Sequence, residues 1–114
     1  MTTPRPLALS ALPGFADDVR ALPTRAAQIM AMDHLNLVRN GHLRGEPLGN
    51  HDQTGDLSDC FKLYFDPDGS GKPRFRLVYR LRKNGLEAVG VEAVAVGQRA
   101  SLAVYRDAAS RLGR

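Results

Sequence analysis

Residues 74–82 read Arg74-Phe75-Arg76-Leu77-Val78-Tyr79-Arg80-Leu81-Arg82, an alternation of cationic and apolar side chains. A period of two predicts a β-strand with one face toward a core and the other toward solvent. The apolar face would hold Phe75, Leu77, Tyr79 and Leu81, and the other face Arg74, Arg76, Arg80 and Arg82. Four guanidinium groups on one sheet face would suit phosphate recognition, although an ordinary solvated sheet face shows the same pattern.

The sequence on either side of this segment predicts two further strands. The first runs from Cys60 to Phe65, the second is Arg74 to Arg82, and the third runs from Leu86 to Val96. Lys83-Asn84-Gly85 is typical of a tight hairpin turn, because Asn-Gly accepts positive φ angles. The third strand is apolar on both faces, which indicates a central position in the sheet.

Helical patterns lie on both sides of these strands. An extended start (Pro6 to Leu12) precedes a helix from Gly14 to Leu22 and a second helix from Arg25 to Arg39, with Asn40-Gly41 as its stop signal. Residues 41–59 predict a long loop, and Ala100 to Leu112 predicts a closing helix. The expected fold class is α+β, with an N-terminal strand, a two-helix hairpin, a three-stranded antiparallel meander, and a C-terminal helix over the edge of the sheet.

Composition predicts one domain over residues 1–114 with a basic working surface. The 114 residues carry a net charge of +4. Residues 1–59 have five Lys/Arg and seven Asp/Glu, whereas residues 60–114 have eleven Lys/Arg and five Asp/Glu. This asymmetry favours nucleic acid as a partner of the second half. The single cysteine, the absence of a long apolar run and the Pro-broken start predict a cytoplasmic protein without a signal peptide.

Three motifs that suggest metal or thiol chemistry have simpler explanations. Residues 66–71 copy the opening of an EF-hand calcium loop, but Leu77 stands where a bidentate Glu is needed, so we expect a polar hairpin loop. His34, His42 and His51 lack metal-ligand spacing. Cys60 opens a strand, a position typical of a small core residue rather than a nucleophile. We therefore expect no metal and no cofactor.

The remaining polar residues converge on one cleft. Lys62 and Tyr64 alternate onto the same face as Arg76 if the strands share a core. Arg99 follows the end of the third strand, and Tyr105 lies on the closing helix. Taken singly, each residue also fits an ordinary role, such as a solvated strand residue or a core-edge aromatic. Together they predict a cationic cleft between the sheet and the last helix.

The motifs of the second half resemble the RelE/ParE superfamily of toxins from type II toxin–antitoxin systems. The resemblance covers residues 55–112, about half of the chain. It is carried, in order, by Gly55-Asp56-Leu57-Ser58-Asp59-Cys60-Phe61-Lys62-Leu63, Phe75-Arg76-Leu77-Val78-Tyr79, Val96-Gly97-Gln98-Arg99, Val104-Tyr105-Arg106-Asp107-Ala108-Ala109 and Arg111-Leu112.

The RelE branch of this superfamily implies a ribosome-dependent endoribonuclease that cleaves messenger RNA. By this resemblance, the catalytic positions are Lys62, Arg76, Arg99 and Tyr105. We expect further RNA contacts from Tyr64, Arg74, Arg80 and Arg82. Tyr64 departs from the pattern, since it stands where RelE-like sequences have a second lysine.

The implied reaction is attack of the RNA 2′-hydroxyl on the adjacent phosphate, without metal. Arginines would stabilise the charged phosphate, and either Tyr105 or Lys62 would act as the base. The resemblance implies a cognate antitoxin, mRNA and the ribosome as partners, with operator DNA as a further partner of the toxin–antitoxin complex. Two alternatives stay open: a ParE-like toxin that binds gyrase, and a non-catalytic member that binds antitoxin and operator DNA.

Overall fold

The computed structural model describes residues 6–51, 55–69, 71–100 and 102–114. The parts of the predicted N-terminal segment, long loop, acidic hairpin loop and closing helix that fall on residues 1–5, 52–54, 70 and 101 lie outside this description. The elements are, in order, β1 (Ala8–Ala11), α1 (Phe15–Ala21), α2 (Arg25–Arg39), β2 (Glu46–Pro47), β3 (Asn50–His51), β4 (Gly55–Asp56), β5 (Cys60–Phe65), β6 (Phe75–Asn84), β7 (Glu87–Gln98) and α3 (Ala103–Arg111).

The main sheet has five strands in the order β1-β7-β6-β5-β2. The β5-β6-β7 meander is antiparallel as predicted, and β1 adds in parallel to β7. The predicted α+β class is confirmed. The prediction of a long loop over residues 41–59 was wrong where β2, β3 and β4 form, because two-residue strands carry no readable period and exist only through their partners.

The hairpin between β6 and β7 turns one residue later than predicted. Asn84 pairs with Glu87, so the two turn residues are Gly85 and Leu86. Gly85 has φ +65°, as expected at the first central position of a type II′ turn, where glycine is favoured. The asparagine therefore ends the strand instead of entering the turn.

Helices cover both faces of the sheet. Phe75, Leu77 and Tyr79 of β6 pack in a core with α1 and α2, whereas Val78 packs in a second core with residues of α3. The prediction that α3 lies over the sheet edge was wrong, because α3 covers the second face above β6 and β7. The face that carries the β6 arginines is therefore not an open solvent face.

A bulge in β7 shapes this second core. Val78 pairs with Ala95 and Tyr79 with Ala93, so Val94 has no partner across the ladder. Val94 and Ala95 both belong to the core under α3, which accounts for the apolar character of β7 on both faces. Beyond the bulge, Gly97 lies opposite Arg76, and a Cβ added there would come within 3.0 Å of Val104 Cγ2. Glycine thus lets α3 approach the sheet closely beside Arg76.

An ion pair joins α3 to α1 across the end of β7. Arg111 Nη2 donates to Asp18 Oδ1 at 2.9 Å, and its Nη1 donates both to Asp18 Oδ2 and to the carbonyl oxygen of Val94. Asp18 Oδ2 also accepts from the backbone N–H of Val96. The two sheet faces are therefore connected through the backbone of β7.

Within the described ranges, α2 is the longest helix at 15 residues, and none is long and apolar enough to cross a membrane.

Candidate active site

The site begins with one cross-strand pair. Tyr64 of β5 lies directly opposite Arg76 of β6, so their side chains leave the sheet on the same face. Lys62 lies two residues earlier on that face. Arg99 follows β7 immediately, and its backbone N–H donates to the carbonyl oxygen of Arg74 at 2.8 Å. Tyr105 reaches the pair from the beginning of α3, as the close approach at Gly97 allows.

Five side chains thus come together, and we call them the tyrosine–cation cluster: Lys62, Tyr64, Arg76, Arg99 and Tyr105. The Tyr64 ring has three cations around it. Its centroid lies 4.5 Å from Arg99 Cζ, 5.5 Å from Arg76 Cζ and 5.2 Å from Lys62 Nζ. Arg76 Cζ also lies 4.1 Å from the centroid of the Tyr105 ring. Cations at these distances are attracted by the ring faces and hold the rings in place.

A hydrogen bond joins the hydroxyls of Tyr64 and Tyr105, and the pKa values of the two groups are shifted in opposite directions. Burial raises the pKa of Tyr64, but hydrogen bonds from Lys62 and Tyr105 and the nearby cations outweigh it and lower the pKa to about 8. Burial raises the pKa of Tyr105 to about 12, and the hydrogen bond with Tyr64 acts in the same direction. Tyr105 is therefore the donor, and Tyr64 is the acceptor whose phenolate is stabilised.

Exposure divides the cluster into two layers. Arg76 is 8% exposed and Tyr105 is 9% exposed, so both lie beneath the surface. Lys62, Tyr64 and Arg99 are half-buried and reach solvent. A ligand would meet Lys62, Tyr64 and Arg99 first, with the charge of Arg76 acting from behind the rings.

A surface cleft of about 540 Å³ adjoins the cluster at Arg99. Lys72 and Arg74 also line it, so three cationic side chains border the space. The backbone hydrogen bond from Arg99 to Arg74 fixes this wall of the cleft to the end of the sheet. The arrangement continues the positive charge of the cluster along a groove large enough for a nucleotide-sized group.

The other arginines of residues 74–82 lie apart from the cluster or are engaged with carboxylates. Arg74 contacts Asp68 and lies 3.5 Å from Asp66. Arg80 contacts Glu92 at 2.5 Å. Arg82 is exposed, six residues from Arg76 and so about 20 Å along the strand.

Of the four arginines, the structure therefore brings only Arg76 into the cluster. The four arginines do not gather at one point of the sheet face, because Val78 lies between Arg76 and Arg80 and packs in the core under α3. The RNA contacts predicted for Arg74, Arg80 and Arg82 stay a prediction.

Sequence reasoning found all five members of the cluster but missed the central place of Tyr64. The register that pairs it with Arg76 is the missing information. Cys60 is fully buried in the second core, and burial raises its pKa to about 12, as suits a core thiol. Among the residues that the structure describes, no three His, Cys, Asp or Glu side chains are grouped to hold a metal ion.

The fold is that of the RelE-like toxins. A free-state structure of the E. coli toxin RelE carrying two arginine-to-alanine substitutions matches with a TM-score of 0.61 and 19% identity over 95% of this chain and 99% of that chain. A crystal structure of the isolated E. coli RelE toxin matches with a TM-score of 0.53 and 21% identity over 93% and 98% of the two chains. No protein-family model and no curated protein matches the sequence.

Proposed function

We propose that this protein is the toxin of a type II toxin–antitoxin system and that it cleaves messenger RNA on the ribosome. The observation that carries the proposal is the tyrosine–cation cluster, which unites residues of β5, β6, the end of β7 and α3 in one surface site. The RelE-like fold supports the same assignment, since it matches over nearly the whole chain.

The reaction is an intramolecular phosphoryl transfer, in which phosphorus exchanges its bond to the 5′-oxygen for a bond to the 2′-oxygen of the RNA. A base removes the 2′-hydroxyl proton, the 2′-oxygen bonds to phosphorus, and the bond to the 5′-oxygen breaks as that oxygen gains a proton. The products are a 2′,3′-cyclic phosphate and a 5′-hydroxyl end. The reaction requires the 2′-hydroxyl, so DNA is not cut.

The surface layer of the cluster supplies the groups that meet the phosphate. Arg99 and Lys62 reach solvent and stabilise the negative charge that grows on the phosphate oxygens. Arg76 acts through its field, because at 8% exposure its guanidinium lies behind the tyrosine rings. The Tyr64 face offers a surface on which an unpaired base can stack.

The proposed partners follow from the same assignment. The message enters along the cleft bordered by Lys72, Arg74 and Arg99, and the ribosome presents it in the cytoplasm. A cognate antitoxin blocks the protein by occupying or covering this basic surface, and the toxin–antitoxin complex binds its operator DNA.

Primer extension on a message translated in a cell-free system tests the proposal. We expect wild-type protein to produce cuts that require ribosomes, and Arg99→Ala to reduce the cleavage rate by about 10²–10³-fold. Arg20→Ala is the matched control, since it also removes one arginine but from the surface of α1, where its side chain is 71% exposed and lies outside the cluster and the cleft. It should cleave like wild type.

An intact message would overturn the nuclease. If translation stops without cleavage, or if gyrase is inhibited in a supercoiling assay, the protein is a binding toxin. Equal losses in Arg99→Ala and Arg20→Ala would instead show that charge alone, and not the cluster, supports cleavage.

A further inference from the structure

Tyr64 occupies the centre of the tyrosine–cation cluster. It touches Lys62 from its own strand, Arg76 from β6, Arg99 after β7 and Tyr105 from α3. Glu46 of β2 carries a carboxylate at the edge of this group, 3.9 Å from Lys62 Nζ. Three cations and one hydroxyl donor therefore surround the phenol oxygen and ring of Tyr64.

We propose that Tyr64 is the general base, and that its phenolate takes the proton from the RNA 2′-hydroxyl. The assignment rests on the nuclease function proposed above. It differs from the expectation drawn from the sequence, in which Tyr105 or Lys62 had this role and Tyr64 only contacted RNA. Tyr64 is half-buried, so its oxygen is reachable by substrate while its ring stays fixed among the cations.

Neither of the other two candidates has the geometry of a base. Tyr105 is 9% exposed and donates its proton to Tyr64, and its pKa is raised to about 12. Lys62 also donates to Tyr64, so its hydrogens point at the oxygen that must be activated. Both residues stabilise a negative charge on Tyr64 and supply none of their own.

The lowered pKa of Tyr64 is consistent with this geometry. With a pKa of about 8, Tyr64 is roughly one-quarter phenolate at pH 7.5, against well under 1% for an ordinary tyrosine. A base whose pKa lies near the working pH combines a usable ionised fraction with a strong drive to accept a proton.

The protons balance through the hydrogen bond between Tyr64 and Lys62. The phenolate gains the 2′-hydroxyl proton as the new bond to phosphorus forms. Lys62 gives a proton to the departing 5′-oxygen as the old bond breaks. A proton then passes from the Tyr64 hydroxyl to the neutral Lys62 amine. This restores the phenolate and the ammonium, and no other reactant is consumed.

Ultraviolet titration of the free protein tests the ionisation without any substrate. The chain has three tyrosines and no tryptophan, so the tyrosinate signal has few sources. Burial raises the pKa of Tyr79, and it raises the pKa of Tyr105 to about 12. We expect one tyrosine to titrate near pH 8, and this step to vanish in Tyr64→Phe. In Tyr105→Phe the step should move to higher pH, because a hydrogen bond to the phenolate is lost.

Single-turnover cleavage at several pH values tests the catalytic role. The wild-type rate should rise with pH and level off above about 8. Tyr64→Phe keeps the ring, and hence any stacking on a base, but we expect its rate to fall about 10²–10⁴-fold and to lose this pH dependence. Tyr64→Lys offers a different base at the same place and should recover part of the rate with a different profile.

The outcomes separate the two proposals. Active wild type with an equally active Tyr64→Phe overturns the base role alone and makes Tyr64 a stacking surface. Wild type without any tyrosine that titrates near 8 also overturns the base role alone if cleavage persists. Wild type without cleavage overturns the nuclease and the base role together.

Discussion

Replacing Arg111 by Met should destabilise the protein far more than an ordinary surface change. The guanidinium gives two hydrogen bonds to Asp18 and one, at 2.9 Å, to the carbonyl oxygen of Val94. The side chains of Arg111 and Asp18 are 21% and 15% exposed. Methionine keeps most of the stem volume but removes every donor, which leaves a mostly covered carboxylate without its cation.

The expected cost lies between those of exposed and buried pairs. Exposed ion pairs contribute about 0–1 kcal/mol, whereas breaking a buried pair costs about 3–5 kcal/mol. Asp18 keeps its bond from the Val96 N–H, which lowers the penalty. We expect a loss of about 3 kcal/mol in the free energy of unfolding, and a fall in Tm of roughly 12 °C at about 4 °C per kcal/mol for a chain of this size.

Thermal and urea unfolding followed by circular dichroism measure this loss. Arg20→Met is the matched control, because Arg20 pairs with Asp17 while their side chains are 71% and 76% exposed. That variant should lose under about 1 kcal/mol. If Arg111→Met loses no more than Arg20→Met, the ion pair does not stabilise the packing of α3, and the reasoning fails.

Two further outcomes follow from buried polar groups outside the cluster. Tyr79→Phe should lower the free energy of unfolding in urea by about 1–3 kcal/mol, because the backbone N–H of Gly45 loses the hydroxyl that accepts its hydrogen bond at 2.8 Å. An unchanged urea midpoint would mean that water replaces the hydroxyl. Cys60 should resist a thiol reagent at pH 8, since it is fully buried and burial raises its pKa to about 12. We expect labelling only as fast as the protein unfolds. Rapid labelling of the native protein would contradict this.

Local sequence rules predicted the regular elements well. The bounds of α2 match the prediction because Thr24 caps its first turn, accepting from the Ala27 N–H, and Asn40 follows its last residue. The alternation of β6 correctly separated Phe75, Leu77 and Tyr79 from the opposite face. The short strand β2 escaped prediction, because its two residues become a strand only by pairing with β5.

The sequence by itself determined which side of its strand each residue of the site occupies, because side-chain direction alternates through local backbone geometry. With the apolar faces of β5 and β6 turned toward one core, the same alternation put Lys62, Tyr64 and Arg76 on one face, as the register shows. Arg99 and Tyr105 were predicted to join them from their positions after the third strand and on the closing helix, and the structure brings both residues to that face. The resemblance added only the catalytic roles expected of them.

Only the tertiary structure decided which cations join the site and which residue stands at its centre. The register of β5 and β6 sets Tyr64 against Arg76, and the packing of α3 covers Val78 and separates Arg80 from the cluster. These outcomes depend on contacts between segments far apart in the chain, to which the pattern of a single strand is blind. The acidity of Tyr64 has the same origin, since a pKa is set by the charges and donors that folding brings near.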